Sequence, residues 1–438
     1  MKIFLEMVGC RLNQSEIEIY ARQFRSAGHS LVPSASGADM VVVNTCAVTN
    51  EAASDSRQKI RQAARAGVQQ IVVTGCWSTL NEHAAAALDG VTRVVSNEKK
   101  DGLVKEVLNL PPEAFDLEPL AREPLPGIHL RTRAFIKTQD GCDYHCTFCV
   151  TRLARGRSIS RPIHEVIADI QSALKGGAQE IVLTGVALGS WGYDLVPQTD
   201  LTHLLPTILN NTGLKRLRLS SIEPWDLDEK FFELWRDPRL CRHLHIPLQS
   251  GSAATLRRMA RRTTPEAYAG LVAIARSAAP GLALTTDIIV GFPGETDTEF
   301  QESLDFVRRM TFASGHVFTF SSRPGTGAER LSDQVPHPQR KERNAQMRSV
   351  ISESAAVYRC HFLGETLAVL WESTDQLSAD GWRLSGLTDN YLRVYAFSKA
   401  PLWNQVSQVR LVKKAEDGME GEIIGEVNHA SHADQLSG

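Results

Sequence analysis

The stretch Gly141-Cys142-Asp143-Tyr144-His145-Cys146-Thr147-Phe148-Cys149 sets three cysteines in a Cys-x3-Cys-x2-Cys pattern, directly after an apolar run that reads as a strand. Three thiolates on one loop can hold three irons of a [4Fe–4S] cube and leave the fourth open to a substrate. Zinc is the competing reading, but structural zinc takes four ligands, usually from two paired hooks. This loop offers three cysteines with His145 between them and no second hook nearby.

Working outward, strand candidates recur at residues 134–137, 180–183, 216–220, 244–248, 283–290 and 316–320. Helix candidates lie between them, among them 163–175, 265–278 and 297–309. Six βα units across residues 128–350 predict a partial (βα)6 barrel, closed or left open on one side. Upstream, residues 2–8, 40–43 and 71–74 read as short buried strands, with helical stretches at 14–27 and 54–66. That alternation predicts a parallel α/β sheet within residues 1–125. Pro111, Pro112, Pro119, Pro124 and Pro126 then read as a linker. Downstream, a helix at 339–358 leads to strand candidates at 366–370, 382–386, 392–396 and 406–412. These predict a small antiparallel β-barrel within residues 360–427. The fold class is α/β, with that barrel appended.

Composition is consistent with this division. The chain has 438 residues, and single cores stop growing near ~250–300. At 22% charged and 42% hydrophobic residues it has a globular, soluble composition. No apolar run approaches a bilayer span, so no membrane partner is expected. Glu6 and Gly9-Cys10 arrive too early for a signal peptide, so a cytoplasmic location is expected. Net charge is -2, so any nucleic-acid binding must come from local basic patches.

Eight cysteines in such a compartment point to metal or catalysis rather than disulfides. Cys10, Cys46 and Cys76 are scattered in sequence, yet each follows a predicted strand by a few residues at most. Such positions converge at the carboxyl edge of a parallel sheet. There they form a second cluster site, or they are three small buried hydrophobes. Spacing alone leaves both open. Cys241 reads as a core residue and Cys360 as an end-of-helix residue.

The cysteine loop, with Phe148 before its last cysteine, resembles that of the radical S-adenosylmethionine (SAM) superfamily. Arg155-Gly156-Arg157-Ser158, Ser221-Ile222-Glu223-Pro224, His245-Ile246-Pro247-Leu248-Gln249-Ser250-Gly251, residues 180–185 and residues 287–295 resemble its methylthiotransferase branch. So do Gly9-Cys10-Arg11-Leu12-Asn13-Gln14-Ser15-Glu16, Asn44-Thr45-Cys46 and Thr74-Gly75-Cys76. The resemblance implies one [4Fe–4S] cluster on Cys142, Cys146 and Cys149 that binds and cleaves SAM. It implies a second, auxiliary [4Fe–4S] cluster on Cys10, Cys46 and Cys76, linked to sulfur delivery. It also implies SAM contacts from Gln249 and Ser250, with Glu223 and Arg261 beside them.

Residues 131–143 and 9–14 look most like the branch that adds a methylthio group to C2 of N6-threonylcarbamoyladenosine at position 37 of tRNA. The isopentenyladenosine branch and the branch modifying a ribosomal-protein aspartate are the alternatives. Thr151-Arg152 stands where an Ile-Pro pair is common, a departure that bears on the substrate-facing surface. Residues 364–372 and 386–391 resemble a TRAM domain, which implies contact with RNA. Arg152, Arg155, Arg157 and Arg161 form one basic cluster, and Arg257, Arg258, Arg261 and Arg262 a second, both suited to phosphate. A third, Arg340, Lys341, Arg343 and Arg348, reads as a solvated helix face. The implied partners are the anticodon loop of tRNA with its base splayed out, an electron donor such as flavodoxin or ferredoxin, and a sulfur source.

Overall fold

The computed structural model describes residues 1–111, 114–115, 132–378 and 381–426. Of the linker prolines, Pro112, Pro119, Pro124 and Pro126 lie outside the described residues, as does Arg131.

The run Met40-Val41-Val42-Val43 has no polar alternation, and a strand that reads this way is buried on both faces. Strand Met40–Thr45 accordingly sits in the middle of a five-stranded parallel sheet. Lys2–Met7 and then Ser30–Leu31 lie on one side, Gln70–Gly75 and Val91–Val94 on the other. Successive residues point to opposite faces. Val42 and Val72 meet helix Arg11–Ser26 through Ile17, Tyr20 and Phe24, while Val41 and Val43 meet helix Asn50–Arg65 through Ile60 and Ala63. The two edge strands escaped the sequence reading because one is two residues long and the other carries Thr92 and Arg93.

Six parallel strands follow in chain order: Arg133–Lys137, Glu180–Thr184, Leu217–Leu219, His243–His245, Ala283–Val290 and Ser314–Thr319. Two three-stranded sheets join through the Ser221–His245 bridge and the bond from Leu217 N to Arg239 O at 2.7 Å. Among the described residues the first and last strands do not pair, so the barrel is open on one side. The strand expected at 244–248 stops at His245, and Pro247, which has no N–H to give a neighbour, follows two residues later.

Each flank of the opening is covered. Helix Arg11–Ser26 packs on the first strand, where Ser15 Oγ accepts from Lys137 N at 3.0 Å. The long helix His337–Cys360 packs on the last, where Asn344 Nδ2 donates to Val317 O at 3.0 Å.

The C-terminal strands close into a five-stranded barrel, Thr366–Ser378, Gly381–Thr388, Arg393–Ser398, Met419–Glu426 and Val406–Lys414 in that order around it. Two features differ from expectation. A fifth strand, charged and glycine-rich, completes it, and this strand runs parallel to Arg393–Ser398. The barrel docks at the amino-terminal ends of the six central strands. Buried Glu180 accepts from Arg216 at 2.9 Å and Arg218 at 2.7 Å, and Arg218 reaches on to Asp389 O at 2.9 Å. Tyr391 stacks on His243 with ring centroids 4.0 Å apart.

Candidate active site

The cysteine loop leaves the carboxyl end of the first central strand. Gly141 starts it with φ +67, and a Cβ there would lie 1.7 Å from Arg157 O, so only glycine fits. Gln139 organises the turn from within: its Nε2 donates to Asp140 O, Gly141 O and Ser158 Oγ, each at 2.8 Å. Cys142 N bonds Gly156 O at 3.1 Å, and Cys149 N bonds Cys146 O at 3.1 Å. Burial pushes the Cys142 thiol up to about 12, and Cys149 and Cys146 add to the rise. Arg261 reaches this loop, donating to Cys146 Sγ at 3.7 Å, to Glu223 at 2.6 Å and to Pro247 O at 2.6 Å. Gln249 adopts φ +71 and lines a cleft with Cys149. Ser250 is buried, its Oγ accepting from Ser252 N at 3.2 Å.

The scattered cysteines converge. Cys10 stands just before helix Arg11–Ser26, while Cys46 and Cys76 directly follow strands Met40–Thr45 and Gln70–Gly75, so all three sit at the carboxyl edge of the N-terminal sheet. Cys46 Sγ lies over Gly9, where a Cβ would come within 2.5 Å. Burial raises the Cys46 thiol to about 11, and Cys10 and Cys76 add to it. Cys10 is exposed, whereas Cys46 and Cys76 are buried. Among the described residues no three His, Cys, Asp or Glu side chains are close enough to share a single metal ion. A cube of irons and sulfides holds its thiolates farther apart, and thiolate is the donor it takes. Both cysteine groups fit such a group by donor chemistry.

One buried residue ties the two groups together. Arg155 donates to Cys76 Sγ at 3.2 Å, Asn13 Oδ1 at 2.6 Å, Glu16 at 3.0 Å and Asp140 at 2.9 Å. Lys100 lies 2.6 Å from both Glu16 and Asp140, and Lys137 lies 3.0 Å from Asp140. Burial alone would raise the Glu16 carboxyl, but Arg155, Lys100 and Lys137 hold it down to about 2. Asp140 in turn accepts from Gly141 N at 2.8 Å, at the root of the cysteine loop.

This corrects the expectation that Arg155 belongs to a phosphate-binding patch: it is buried and faces carboxylates. Arg161 pairs with Asp169 at 2.7 Å, and Arg258 pairs with Glu299. Arg152, Arg157, Arg257 and Arg262 stay exposed. The helix-face reading of the third cluster holds for Lys341 and Arg348. It fails for Arg343, which is buried against Glu295 at 2.8 Å and Asp297 at 2.6 Å. Sequence reasoning missed Asn13, Glu16 and Lys100 as site-supporting residues. Asn13 and Glu16 lie in the stretch 9–16, where the buried polar run Asn13-Gln14-Ser15-Glu16 was the signal, whereas nothing local marked Lys100.

A cleft of about 680 Å³ opens beside Cys149 and the segment that follows Cys46. Val48, Thr49 and Asn50, just after Cys46, form one wall, and Phe148 and Cys149 form another. Arg323, Arg340 and Asn344 face it from the end of the open barrel.

Comparison with known proteins agrees with this layout. Residues 2–96 match the family described as "Uncharacterized protein family UPF0004", and residues 136–307 match the "Radical SAM superfamily". A protein of Bacillus subtilis named "Threonylcarbamoyladenosine tRNA methylthiotransferase MtaB" is 33% identical over 95% of this chain and 95% of its own length. Its namesake from Thermotoga maritima is 35% identical over the same shares. This chain belongs to the radical SAM methylthiotransferases. It is a transferase that uses SAM and iron–sulfur clusters. A Maricaulis maris protein named "tRNA-2-methylthio-N(6)-dimethylallyladenosine synthase" is 29% identical over 98% of this chain and 99% of its own. In fold the methylthiotransferase is similar to TsrM of Kitasatospora setae, a radical SAM methyltransferase. The two share a TM-score of 0.56 at 15% identity, over 75% of this chain and 76% of that one. No helix among the described residues is long and apolar enough to cross a membrane.

Proposed function

We propose that this protein adds a methylthio group to C2 of N6-threonylcarbamoyladenosine at position 37 of tRNA. The observation that carries this is the cleft of about 680 Å³ lined by Cys149 on one side and by Val48 and Thr49, just after Cys46, on another, which is large enough for a modified base. In this reading Cys142, Cys146 and Cys149 hold the [4Fe–4S] cluster that binds SAM, and Cys10, Cys46 and Cys76 hold the auxiliary one. Bound at the first cluster, SAM would supply hydrogen-atom abstraction chemistry toward C2, and SAM would also be the source of the methyl group. The chain's own residues position these parts. Gln249 and Ser250 border SAM. The Glu223–Arg261 pair stands behind Cys146, with Arg261 donating to its sulfur. Arg155 holds Cys76 and the cysteine loop at a fixed separation.

Residues 1–125 form the auxiliary-cluster domain, 128–350 the radical SAM core and 360–427 a TRAM-like domain that contacts the RNA. Flavodoxin or ferredoxin supplies electrons, a separate donor supplies sulfur, and the work is done in the cytoplasm. The test is mass spectrometry of nucleosides from tRNA bearing threonylcarbamoyladenosine. The RNA is treated with anaerobically reconstituted protein, SAM and a reductant, and the 2-methylthio derivative is the expected product. Formation of 5′-deoxyadenosine without that product would move the assignment to isopentenyladenosine tRNA, and after it to ribosomal protein.

A further inference from the structure

The cleft holds two guanidinium groups with no carboxylate in ion-pair contact among the described residues. Arg323 reaches across it, donating to Val48 O at 3.1 Å and to Asn50 Oδ1, both beside the scattered cysteines. Arg340 donates to Phe320 O at 2.6 Å, and its buried Nε has no partner. Both are half-buried, and neither forms an ion pair among the described residues. By contrast Arg155, Arg218, Arg261 and Arg343 each face a carboxylate. The acids that share the cleft do not pair with them: Glu51, exposed at the rim, acts on Arg323 without an ion-pair contact, and Asp287 faces His245 at 3.3 Å. Space for Arg340 is built in. Its side chain crosses Gly291, where a Cβ would lie 2.2 Å from Arg340 Cγ.

We propose that Arg323 and Arg340 bind the carboxylate of the N6 substituent of the target adenosine, and so select the threonylcarbamoyl form. This rests on the substrate reading above and deepens it. A guanidinium matches a carboxylate with two parallel charged hydrogen bonds, and does so best where water is partly excluded. An isopentenyl group offers no charge, so binding it would desolvate both cations without return.

The experiment measures binding, not turnover. The full chain, reconstituted anaerobically, is titrated by fluorescence anisotropy with anticodon stem-loop RNA. The RNA carries threonylcarbamoyladenosine, isopentenyladenosine or adenosine at position 37. The wild-type protein should prefer the first RNA. Arg323→Gln and Arg340→Gln should each weaken that RNA by about 10-fold or more, the range of one charged hydrogen bond, and leave the other two nearly unchanged. Arg323→Lys, which keeps the charge, should recover part of the loss and exclude misfolding as its cause. Equal weakening of all three RNAs would assign the arginines to backbone phosphate and overturn the proposal. Undiminished preference in both Gln variants would overturn it as well. A wild-type protein that does not discriminate removes the substrate reading itself, and that failure is visible before any variant is made.

Discussion

Replacing Arg155 by Met tests whether one buried cation holds the two cysteine groups together. The substitution keeps an unbranched apolar stem of similar reach and removes four hydrogen bonds, to Cys76, Asn13, Glu16 and Asp140. Deleting one partner of a buried charged network costs about 3–5 kcal/mol, because it strands the opposite charge. Here the low end applies. Lys100, 2.6 Å from both carboxylates, and Lys137, 3.0 Å from Asp140, still neutralise them. A loss of about 3 kcal/mol at roughly 2–4 °C per kcal/mol lowers the first thermal transition by about 6–12 °C. Calorimetry of wild-type and Arg155→Met protein, both reconstituted without oxygen, measures it. Iron determination on the same samples reads the second effect. Cys76 loses its only charged donor among the described residues, so bound iron should fall from about eight atoms per chain towards four. A transition within about 2 °C of wild type, with full iron, would refute the reasoning.

Four further outcomes are expected. Replacing Cys142, Cys146 and Cys149 together with Ala should abolish 5′-deoxyadenosine formation. Replacing Cys10, Cys46 and Cys76 should spare it but stop methylthiolation, and full product from the latter variant would remove the auxiliary cluster from the reaction. Glu180→Gln should cost about 3 kcal/mol in chemical denaturation, since Arg216 and Arg218 lose their shared anion. Burial opposes ionisation of Glu180, but Arg218 and Arg216 outweigh it and hold the carboxyl below its usual 4.5. Its contribution is therefore present above about that pH and lost on acidification, so the variant should show a shallower fall in stability below it. Gly291→Ala should displace Arg340, given φ +69 and the 2.2 Å approach, and lower melting by an amount equivalent to about 1–3 kcal/mol of backbone strain.

The strands and the cysteine loop were legible because their signals are local. An apolar run such as Met40–Val43 or a Cys-x3-Cys-x2-Cys spacing needs no knowledge of the rest of the chain. Convergence of Cys10, Cys46 and Cys76 became legible only through the rule that parallel strand ends gather at one edge. The arginines were misread for the opposite reason. Arg155 and Arg343 look like members of basic surface clusters, and their carboxylates, Glu16 and Glu295, lie far away in sequence. Charge pairing across such distances leaves no periodicity. The fifth barrel strand, Met419–Glu426, mixes glutamates and glycines with only a short apolar pair and reads as a loop until its neighbours enclose it.

The shared position of Arg155 bears on how such enzymes can be taken apart. If the first 111 residues were expressed alone, Glu16 would keep Lys100 and lose both Arg155 and Lys137. Asn13 would lose a donor, and Cys76 would meet solvent where a guanidinium now lies. The segment has its own sheet but not its own electrostatic closure, so it is not an autonomous part that could be grafted onto another radical SAM barrel. A chimera would have to carry Asp140 and Arg155 across with it. Inheritance faces the same constraint as the engineer: the two halves can diverge over their outer faces but must change together along this seam.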